Sequence, residues 1–332
     1  MKAAIFTPGI GEHGVQVQTV PAPSSHSQHE LLIKVRAAGL NPSNFKVNMG
    51  RIPFFRHLRP PVVGYDVEGQ VLSSGNSEEC KKFQQGDSVY GFASGSIAEY
   101  ALVGCSRAAH SPKSLTPIQT AGLPVVALTS LEAWDRSGLQ HGQSALVIGA
   151  SGGCGIFGVT LGKAMGASIS GICSTRNVKF VQKLGATKVY DYKNELSMAN
   201  LIAGGQQFDV IYDTVTSFAP EDPNYEVSMR PLLKTNGKYI AINGARSDWM
   251  KGMFEMFVTK PFFNLSIQRK NYDLFLLKPT TKKLERLAEF LDSGKVPPTV
   301  IDTSFTLTDE NLNTAFMQMK SRRTVGKICF EF

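Results

Sequence analysis

The sequence contains no apolar run of the roughly 18 residues that a membrane-spanning helix requires. Its first residues, MKAAIF, are typical of a strand that enters a turn at Pro8-Gly9, and they lack the pattern of a secretion signal. Dense basic runs with interleaved aromatic side chains are also missing, which argues against nucleic-acid binding. We therefore expect a cytoplasmic protein that does not bind membranes.

Cysteine is also scarce, and its five copies are odd in number and scattered along the chain. They are Cys80, Cys105, Cys154, Cys173 and Cys329. This pattern predicts free thiols in a reducing compartment and not a disulfide framework.

The residues that are present indicate a soluble globular protein. Apolar residues make up 42% of the 332 positions and charged residues 19%. A chain of this length can bury a large core and is expected to form two domains. The net charge of +8, from 35 basic and 27 acidic residues, suits an anionic cofactor, although solubility alone would also explain it.

The pattern of apolar residues changes twice along the chain. Residues 1–120 alternate as β-strands do, whereas from about residue 121 strands alternate with helices, and after about residue 265 the pattern is mixed again. The central segments that predict parallel strands are SALVIG, SISGIC, KVYDY, FDVIYDTV and GKYIAING. We predict an α/β protein with a doubly wound Rossmann domain at 121–264. A mostly β domain would combine 1–120 with 265–332, and a ligand cleft would lie between the two.

The stretch ALVIGASGGCGIFGVTLGKAMG (145–166) predicts a nucleotide-binding turn. An apolar strand runs into a glycine cluster, which opens a helix over roughly 156–165. Gly152, Gly153 and Gly155 lack a Cβ, so backbone N–H groups can approach a ligand, and the positive end of the helix favours a pyrophosphate. The strict G-x-G-x-x-G pattern is not met because Ala150 replaces its first glycine, so an ordinary strand–turn–helix corner is the alternative.

An acidic residue is missing where an NAD site requires one, at the end of the second strand and about 20 residues after the loop. No Asp or Glu occurs between Asp135 and Asp191. Ser174 and Arg176 occupy the expected place, with Lys179 close by. Because Arg binds a phosphate in a bidentate manner, the sequence predicts NADPH rather than NADH. The alternative is that Arg176 is a solvated loop residue.

Several motifs occur in an order that carries a family resemblance. They are AAGLNPSNFKVNMG (37–50), PPVVGYDVEGQV (60–71), FQQGDSVYG (83–91), GSIAEYALV (95–103), ALTSLEAW (127–134), the glycine loop, FDVIYDTV (208–215) and TVGKICFEF (324–332). The chain resembles the medium-chain dehydrogenase/reductase superfamily, specifically its zinc-independent, zeta-crystallin-like quinone oxidoreductase branch. That resemblance spans nearly the whole chain and implies a GroES-like fold for the mostly β domain.

Zinc-dependent relatives carry a Gly-His-Glu segment where this chain has Gly64-Tyr65-Asp66, and a cysteine ligand where it has Asn41. A zinc ion requires thiolate or imidazole ligands at defined spacing, so we predict no metal. The remaining chemistry is hydride transfer from NADPH to a conjugated carbonyl, such as a quinone or an α,β-unsaturated ketone or aldehyde.

The resemblance places three candidate donors near the substrate. Lys46 would reach toward the substrate oxygen or the cofactor ribose, and the alternative is a surface lysine. Tyr65 would donate a proton or merely pack against a cleft wall. Asn41 would bind cofactor or substrate, or cap the turn before Pro42.

The resemblance also implies residues that contact the nicotinamide half and the pyrophosphate of the cofactor. Thr129 would lie near the nicotinamide and the phosphates. Gly152, Gly153 and Cys154 would present backbone to the pyrophosphate. Asn243 and Gly244 would end a strand beside the ribose of the nicotinamide.

A second group would surround the 2′-phosphate and the adenosine. Ser174, Arg176 and Tyr192 match such positions, whereas Asn177 stands where some bacterial relatives carry a lysine. Arg322 matches an arginine that reaches back to the 2′-phosphate, and its alternative is a surface residue before the last strand.

The leading prediction is an NADPH-dependent quinone oxidoreductase. Lys46 and the GYD segment support an NADPH-dependent enone or alkenal reductase as the alternative. A third hypothesis, an NADPH-binding structural or RNA-binding protein with little catalysis, stays open because the pI is about 9.2.

The resemblance implies a homodimer, or a tetramer as the alternative. Residues 245–275 would line the substrate pocket, unless they form an interface or core.

Overall fold

The structure is a computed structural model of the chain. It describes residues 1–7, 14–24, 26–44, 62–217, 223–244, 266–269 and 271–332. Lys46, one of the three candidate donors, lies outside the described residues, as does most of the stretch 245–275.

The described chain contains fifteen strands and eight α-helices. The strands are β1 (Lys2–Phe6), β2 (Val15–Thr19), β3 (Glu30–Leu40), β4 (Asp66–Ser74), β5 (Ser88–Ala93), β6 (Tyr100–His110), β7 (Ser144–Ile148), β8 (Ser168–Cys173), β9 (Lys188–Asp191), β10 (Phe208–Asp213), β11 (Leu233–Ala241), β12 (Ser266–Arg269), β13 (Tyr272–Phe275), β14 (Ile301–Thr306) and β15 (Lys327–Glu331). The helices are α1 (Pro117–Ala121), α2 (Pro124–Ser137), α3 (Gly153–Ala164), α4 (Val178–Leu184), α5 (Glu195–Ala203), α6 (Tyr225–Met229), α7 (Thr281–Asp292) and α8 (Asp309–Lys320). Two short 3₁₀ helices span Thr175–Asn177 and Arg230–Leu232.

The first compact unit combines both ends of the chain, Met1–Leu128 and Pro279–Phe332. Its six-stranded sheet has the order β14-β15-β3-β4-β5-β6, and a further pairing between β3 and β6 closes β3 to β6 into a barrel. Leu31, Ile33 and Val35 alternate along β3 and are fully buried, as the period of two in a strand requires. Phe316 of α8 and Phe330 of β15 belong to the same core.

The second unit, Thr129–Lys278, is a doubly wound α/β domain. Its seven-stranded sheet has the order β12-β13-β11-β10-β7-β8-β9, and every neighbouring pair is parallel except β12 with β13. The five parallel strands predicted from the sequence are β7 to β11. The strand order reverses direction beside β7, and ligands of such sheets bind outside the carboxyl ends of the strands at that point.

The observed units end later along the chain than the sequence patterns suggested. The expected boundaries were 120/121 and 264/265, whereas the units divide after Leu128 and after Lys278. The second shift has a clear cause, because β12 and β13 follow residue 264 and extend the seven-stranded sheet.

The expectation of free thiols is wrong for two of the cysteines. Cys80 and Cys105 form a disulfide across 25 residues, with their Cα atoms 5.2 Å apart and both side chains fully buried. The same turn draws them together: the N–H of Cys105 donates to His29 O, while Cys80 lies against Gln28 O. Because this turn is distant from both in the sequence, the spacing gave no sign of the pairing. Cys154, Cys173 and Cys329 carry free thiols.

Helix α7 shows how the sequence pattern sets the local structure. Its N-cap Thr280 accepts a hydrogen bond from the N–H of Lys283, and Leu284, Leu287 and Leu291 line the buried side at helical spacing. Within the described part of the chain, no helix combines the length and the apolar character that crossing a bilayer requires.

Candidate active site

The glycine loop follows β7 at the carboxyl edge of the sheet. Gly149 has a φ of +80°, and a Cβ there would lie 2.6 Å from both Thr214 Oγ1 and Val215 Cγ2. The tight turn therefore needs glycine at 149, one residue before the Ala150 that breaks the strict motif. The N–H groups of Gly149 and Ala150 donate to Ile172 O at 3.0 and 2.9 Å, which fixes the loop against β8.

Helix α3 begins inside the glycine cluster and not after it. The sequence predicted a start near Ile156, but the helix spans Gly153–Ala164, with Gly152 in an extended conformation as its N-cap. Its first backbone bond runs from Ile156 N to Gly152 O at 2.9 Å. Gly153, Cys154 and Gly155 thus form the first turn, where the N–H groups point along the axis toward a ligand.

Two glycines of this loop are needed for different reasons. A Cβ on Gly155 would lie 2.0 Å from Gly149 O and 2.7 Å from Ala150 Cα, so the fold itself excludes a side chain there. Among the residues that the structure describes, a Cβ on Gly152 would meet only Gly149 O, at 3.5 Å, and the φ of −80° suits any residue. No contact within the described part of the chain therefore explains glycine at 152, whereas a pyrophosphate against the backbone would. The loop fits a dinucleotide.

The turn after β8 carries the residues predicted to hold a 2′-phosphate. Ser174 precedes the 3₁₀ helix Thr175–Asn177, and Arg176 within it is exposed. Asn177 is buried and donates from Nδ2 to Ser151 Oγ at 2.9 Å, which ties this turn to the glycine loop. Tyr192 is about half exposed, and its N–H donates to Cys173 O, so it lies beside the same strand end.

Thr129, Asn243 and Gly244 belong to the same unit as the glycine loop. Thr129 is buried in α2, and Asn243 and Gly244 follow the end of β11. The neighbouring Ser130 was not predicted from the sequence. Its Oγ donates to Cys154 O at 2.7 Å and lies 3.2 Å from Tyr212 Oη, so it supports the first turn of α3. Its position beside Thr129 in ALTSLEAW is the signal that could have found it.

Asp213 is a second residue that the sequence reasoning missed. It is fully buried at the end of β10, and its Oδ1 accepts hydrogen bonds from the N–H groups of Val215 and Thr216. Tyr239 Oη donates to Oδ2 at 2.6 Å. This carboxylate fixes the segment whose Thr214 and Val215 flank Gly149. Its place at the end of the strand FDVIYDTV was the available signal.

The other candidate residues belong to the first unit. Asn41 is buried and its side chain is bonded internally: Nδ2 donates to Asp66 Oδ2 at 2.8 Å, and Oδ1 accepts from Lys327 Nζ at 2.6 Å. Asn44 Oδ1, and not the Asn41 side chain, caps the turn before Pro42, because it accepts from the N–H of Asn41. Arg322 has a left-handed φ of 58° between α8 and β15.

Tyr65 is partly buried, and burial raises the pKa of its phenol above the usual value. The hydroxyl therefore stays protonated and can donate a hydrogen bond at neutral pH. Ala93 N donates to Tyr65 O at 2.8 Å, which holds the backbone of this residue against β5.

Comparison with known proteins supplies the family. Residues 27–113 match the family model "Alcohol dehydrogenase GroES-like domain", and residues 184–329 match "Zinc-binding dehydrogenase". The chain is 31% identical to the chloroplast envelope quinone oxidoreductase homolog of Arabidopsis thaliana, over 97% of this chain and 95% of that protein. The chain belongs to the medium-chain dehydrogenase/reductase superfamily, in its quinone oxidoreductase branch.

Two further similarities agree with this membership. A 2-methylene-furan-3-one reductase of Solanum lycopersicum is 30% identical over 99% of this chain and 78% of its own. The solved quinone oxidoreductase from Coxiella burnetii superposes with a TM-score of 0.82 at 23% identity, covering 100% of this chain and 99% of that one. This likeness shows that the two proteins share a fold. The medium-chain reductase described here is thus an enzyme of an oxidoreductase family.

One of the two matching families is named for zinc binding. Among the residues that the structure describes, no group of three or more His, Cys, Asp and Glu side chains is arranged to hold a metal ion. The positions that supply ligands in zinc-dependent relatives hold Asn41, Tyr65 and Asp66, and Asn41 and Asp66 are bonded to Lys327 instead.

Proposed function

We propose that this medium-chain reductase transfers a hydride from NADPH to a quinone without using zinc. The observation that carries the proposal is the composition of one edge of the sheet. Gly152 leaves the backbone open at the start of α3, and the adjacent end of β8 has Ser174 and Arg176 where an NAD site has an acid.

The residues of this edge suit the parts of NADPH differently. The first turn of α3 would hold the pyrophosphate through backbone N–H groups. Ser174 and Arg176 would hold the 2′-phosphate through a hydroxyl and a guanidinium, because a phosphate needs donors and positive charge. Thr129, Asn243 and Gly244 would lie toward the nicotinamide. When bound, the cofactor supplies the hydride and the protein supplies orientation and exclusion of water.

The first unit would supply the groups that respond to charge on the acceptor. Tyr65 keeps its proton at neutral pH and would donate a hydrogen bond to a developing oxyanion. Lys46 would stabilise the same negative charge and donate a proton to the acceptor. Both assignments stay predictions, as does the role of Arg322 toward the 2′-phosphate.

A substrate screen tests the proposal. NADPH oxidation would be measured with 1,4-benzoquinone, 9,10-phenanthrenequinone and 3-buten-2-one, and NADH would replace NADPH in parallel reactions. We expect turnover of the quinones and a preference for NADPH. Failure of all three acceptors to oxidise NADPH above background would contradict the proposal.

Enone reduction is the second candidate, and the 2-methylene-furan-3-one reductase supports it by its name. Faster turnover of 3-buten-2-one than of both quinones would favour it. Tight NADPH binding without turnover of any acceptor would instead favour a binding protein. The homodimer stays a prediction from the resemblance, and the cytoplasmic location stays a prediction from the sequence pattern.

A further inference from the structure

Four buried polar side chains of the first unit form one hydrogen-bonded group, and the proposed function gives this group no role. They are Asn41, Asn44, Asp66 and Lys327, and each is at most 3% exposed. Lys327 is separated from Asp66 by 261 residues and from Asn41 by 286. The group therefore joins parts of the chain that are remote in sequence.

The ammonium of Lys327 has an acceptor for each of its protons. Nζ donates to Leu40 O at 2.9 Å, to Asn41 Oδ1 at 2.6 Å and to Asp66 Oδ2 at 3.1 Å. A lysine has three donors and no acceptor, so this arrangement satisfies it completely. The charge is paired within the protein, and the first residue of β15 is fixed to the end of β3.

The carboxylate of Asp66 links two further segments. Its Oδ2 also accepts from Asn41 Nδ2 at 2.8 Å, and its Oδ1 accepts from the N–H of Val125 at 2.9 Å. Val125 lies in the first turn of α2, where a negative side chain is favourable. Gly39 leaves room for this contact, since a Cβ there would lie 3.0 Å from Asp66 Cβ.

Stability does not explain why the chain keeps a buried ion pair at this place. Removing two charges from water is costly, and an apolar pair of similar volume is often as stable or more so. The ion pair instead fixes the positions of the segments around it, because its hydrogen bonds have set partners and angles. It fixes the residue after Tyr65, the turn Asn41–Asn44 and the start of the helix that carries Thr129.

We infer that Asp66 and Lys327 are positioning residues for the reaction, acting through Tyr65, the Asn41–Asn44 turn and the first turn of α2. The inference rests on the proposed function. Both side chains are buried and hydrogen-bonded within the protein, so they would act on the reaction by setting where the neighbouring segments lie. A displacement of about 1 Å in such segments can lower turnover by about 100-fold.

The double variant Asp66→Asn/Lys327→Met tests this inference, because it removes both charges and leaves neither unpaired. The single variant Lys327→Met would leave a buried carboxylate unpaired and lose stability for that reason alone. We expect the double variant to melt near the parent temperature and to keep the parent KM for NADPH. Its kcat should fall by about 10- to 100-fold. The single variant Lys327→Arg keeps the positive charge, so its kcat should fall less than that of the double variant.

A matched control is the exposed pair Lys82–Glu285 of the same unit, whose Nζ and Oε1 lie 2.6 Å apart. Lys82→Met/Glu285→Gln removes the same charges away from the group and should leave kcat unchanged. Hydrogen exchange gives a readout besides activity. Residues 40–44 and 123–128 should exchange faster in the Asp66 and Lys327 double variant, and not in the control.

A stable double variant with the parent kcat and parent exchange would overturn the inference. If the double variant does not fold, Asn44→Ala decides, because it loosens the turn without changing any charge. Lowered kcat at unchanged NADPH affinity would then support the inference, and an unchanged kcat would overturn it. Absence of turnover in the unmodified protein would count against the proposed function instead, while the exchange measurement would still test positioning.

Discussion

The side-chain amide of Asn177 donates a hydrogen bond to Oγ of Ser151 at 2.9 Å, across 26 residues of sequence. Ser151 belongs to the glycine loop, and Asn177 ends the 3₁₀ helix that carries Arg176. A hydrogen bond therefore joins the segment proposed for the pyrophosphate to the segment proposed for the 2′-phosphate. A buried amide of this kind fixes a loop because water cannot reach it, so moving its partner away would leave the amide without a hydrogen bond.

Asn177→Ala should weaken NADPH and NADH equally, by about 0.5–1.5 kcal/mol, because the amide shapes the loop under the pyrophosphate that both share. Fluorescence titration with each cofactor would measure this. Asn194→Ala is a suitable control, since Asn194 caps α5 through the N–H of Ser197 and belongs to another segment. It should lower the melting temperature and leave both affinities unchanged. An effect of Asn177→Ala on NADPH alone would contradict the shared role.

Arg176→Ala should weaken NADPH by about 1–3 kcal/mol and leave NADH almost unchanged, because only NADPH carries the phosphate that the guanidinium binds. Titration calorimetry with both cofactors provides the measurement. Lys183→Ala removes a positive charge from the last turn of α4 and serves as the control. Equal losses for the two cofactors would show that Arg176 does not bind the phosphate.

Gly152→Val and Gly155→Ala should separate a requirement of the ligand from a requirement of the fold. At Gly152 the protein leaves room, so the valine variant should melt near the parent temperature and fail to bind NADPH. At Gly155 a Cβ would overlap the backbone at Gly149, so alanine should cost about 1–3 kcal/mol of stability. Thermal melts without cofactor, followed by titration, would distinguish them. Unchanged NADPH affinity of Gly152→Val would exclude a dinucleotide at this turn.

Thiol counting should distinguish the disulfide from the free cysteines. The native protein at pH 8 should react quickly at Cys154 alone, because Cys154 is partly exposed. Burial raises the pKa of Cys173 to about 11, with the Asp191 charge adding to it, and raises that of Cys329 to about 12, so both thiols stay protonated.

Unfolding without a reductant should then expose the three free thiols, and reduction should bring the total to five. Five reactive thiols before reduction would contradict the Cys80–Cys105 bond. Bound NADPH should slow the reaction of Cys154, whose backbone is proposed to face the pyrophosphate.

Lys46→Ala and Tyr65→Phe should each lower kcat and leave NADPH affinity nearly unchanged, because both groups are proposed to act on the acceptor. General acid–base groups typically contribute about 100-fold or more to a rate. Since burial raises the pKa of Tyr65, its own titration should lie above pH 10 in the kcat profile. An unchanged kcat in Lys46→Ala would indicate that Lys46 is an ordinary surface lysine.

Local sequence patterns predicted much of the second unit. The strands β7 to β11, the glycine loop and the missing acid after β8 were all visible because each depends on residues close together in the chain. The start of α3 was misplaced by three residues, since glycines weaken the helical pattern that would have marked it. The strand directions followed from the alternation of strands and helices.

The sequence by itself indicated a dinucleotide site and predicted a cofactor with a 2′-phosphate, because glycines and a basic turn are properties of short segments. Only the tertiary structure decided that Cys80 pairs with Cys105, that Asn41 is bonded to Asp66, and that Lys327 neutralises that carboxylate. The physical reason is that periodicity reports which face of a strand or helix is buried. It does not report which remote segment packs against that face, and a buried charge is paired with whichever partner the completed fold brings to it.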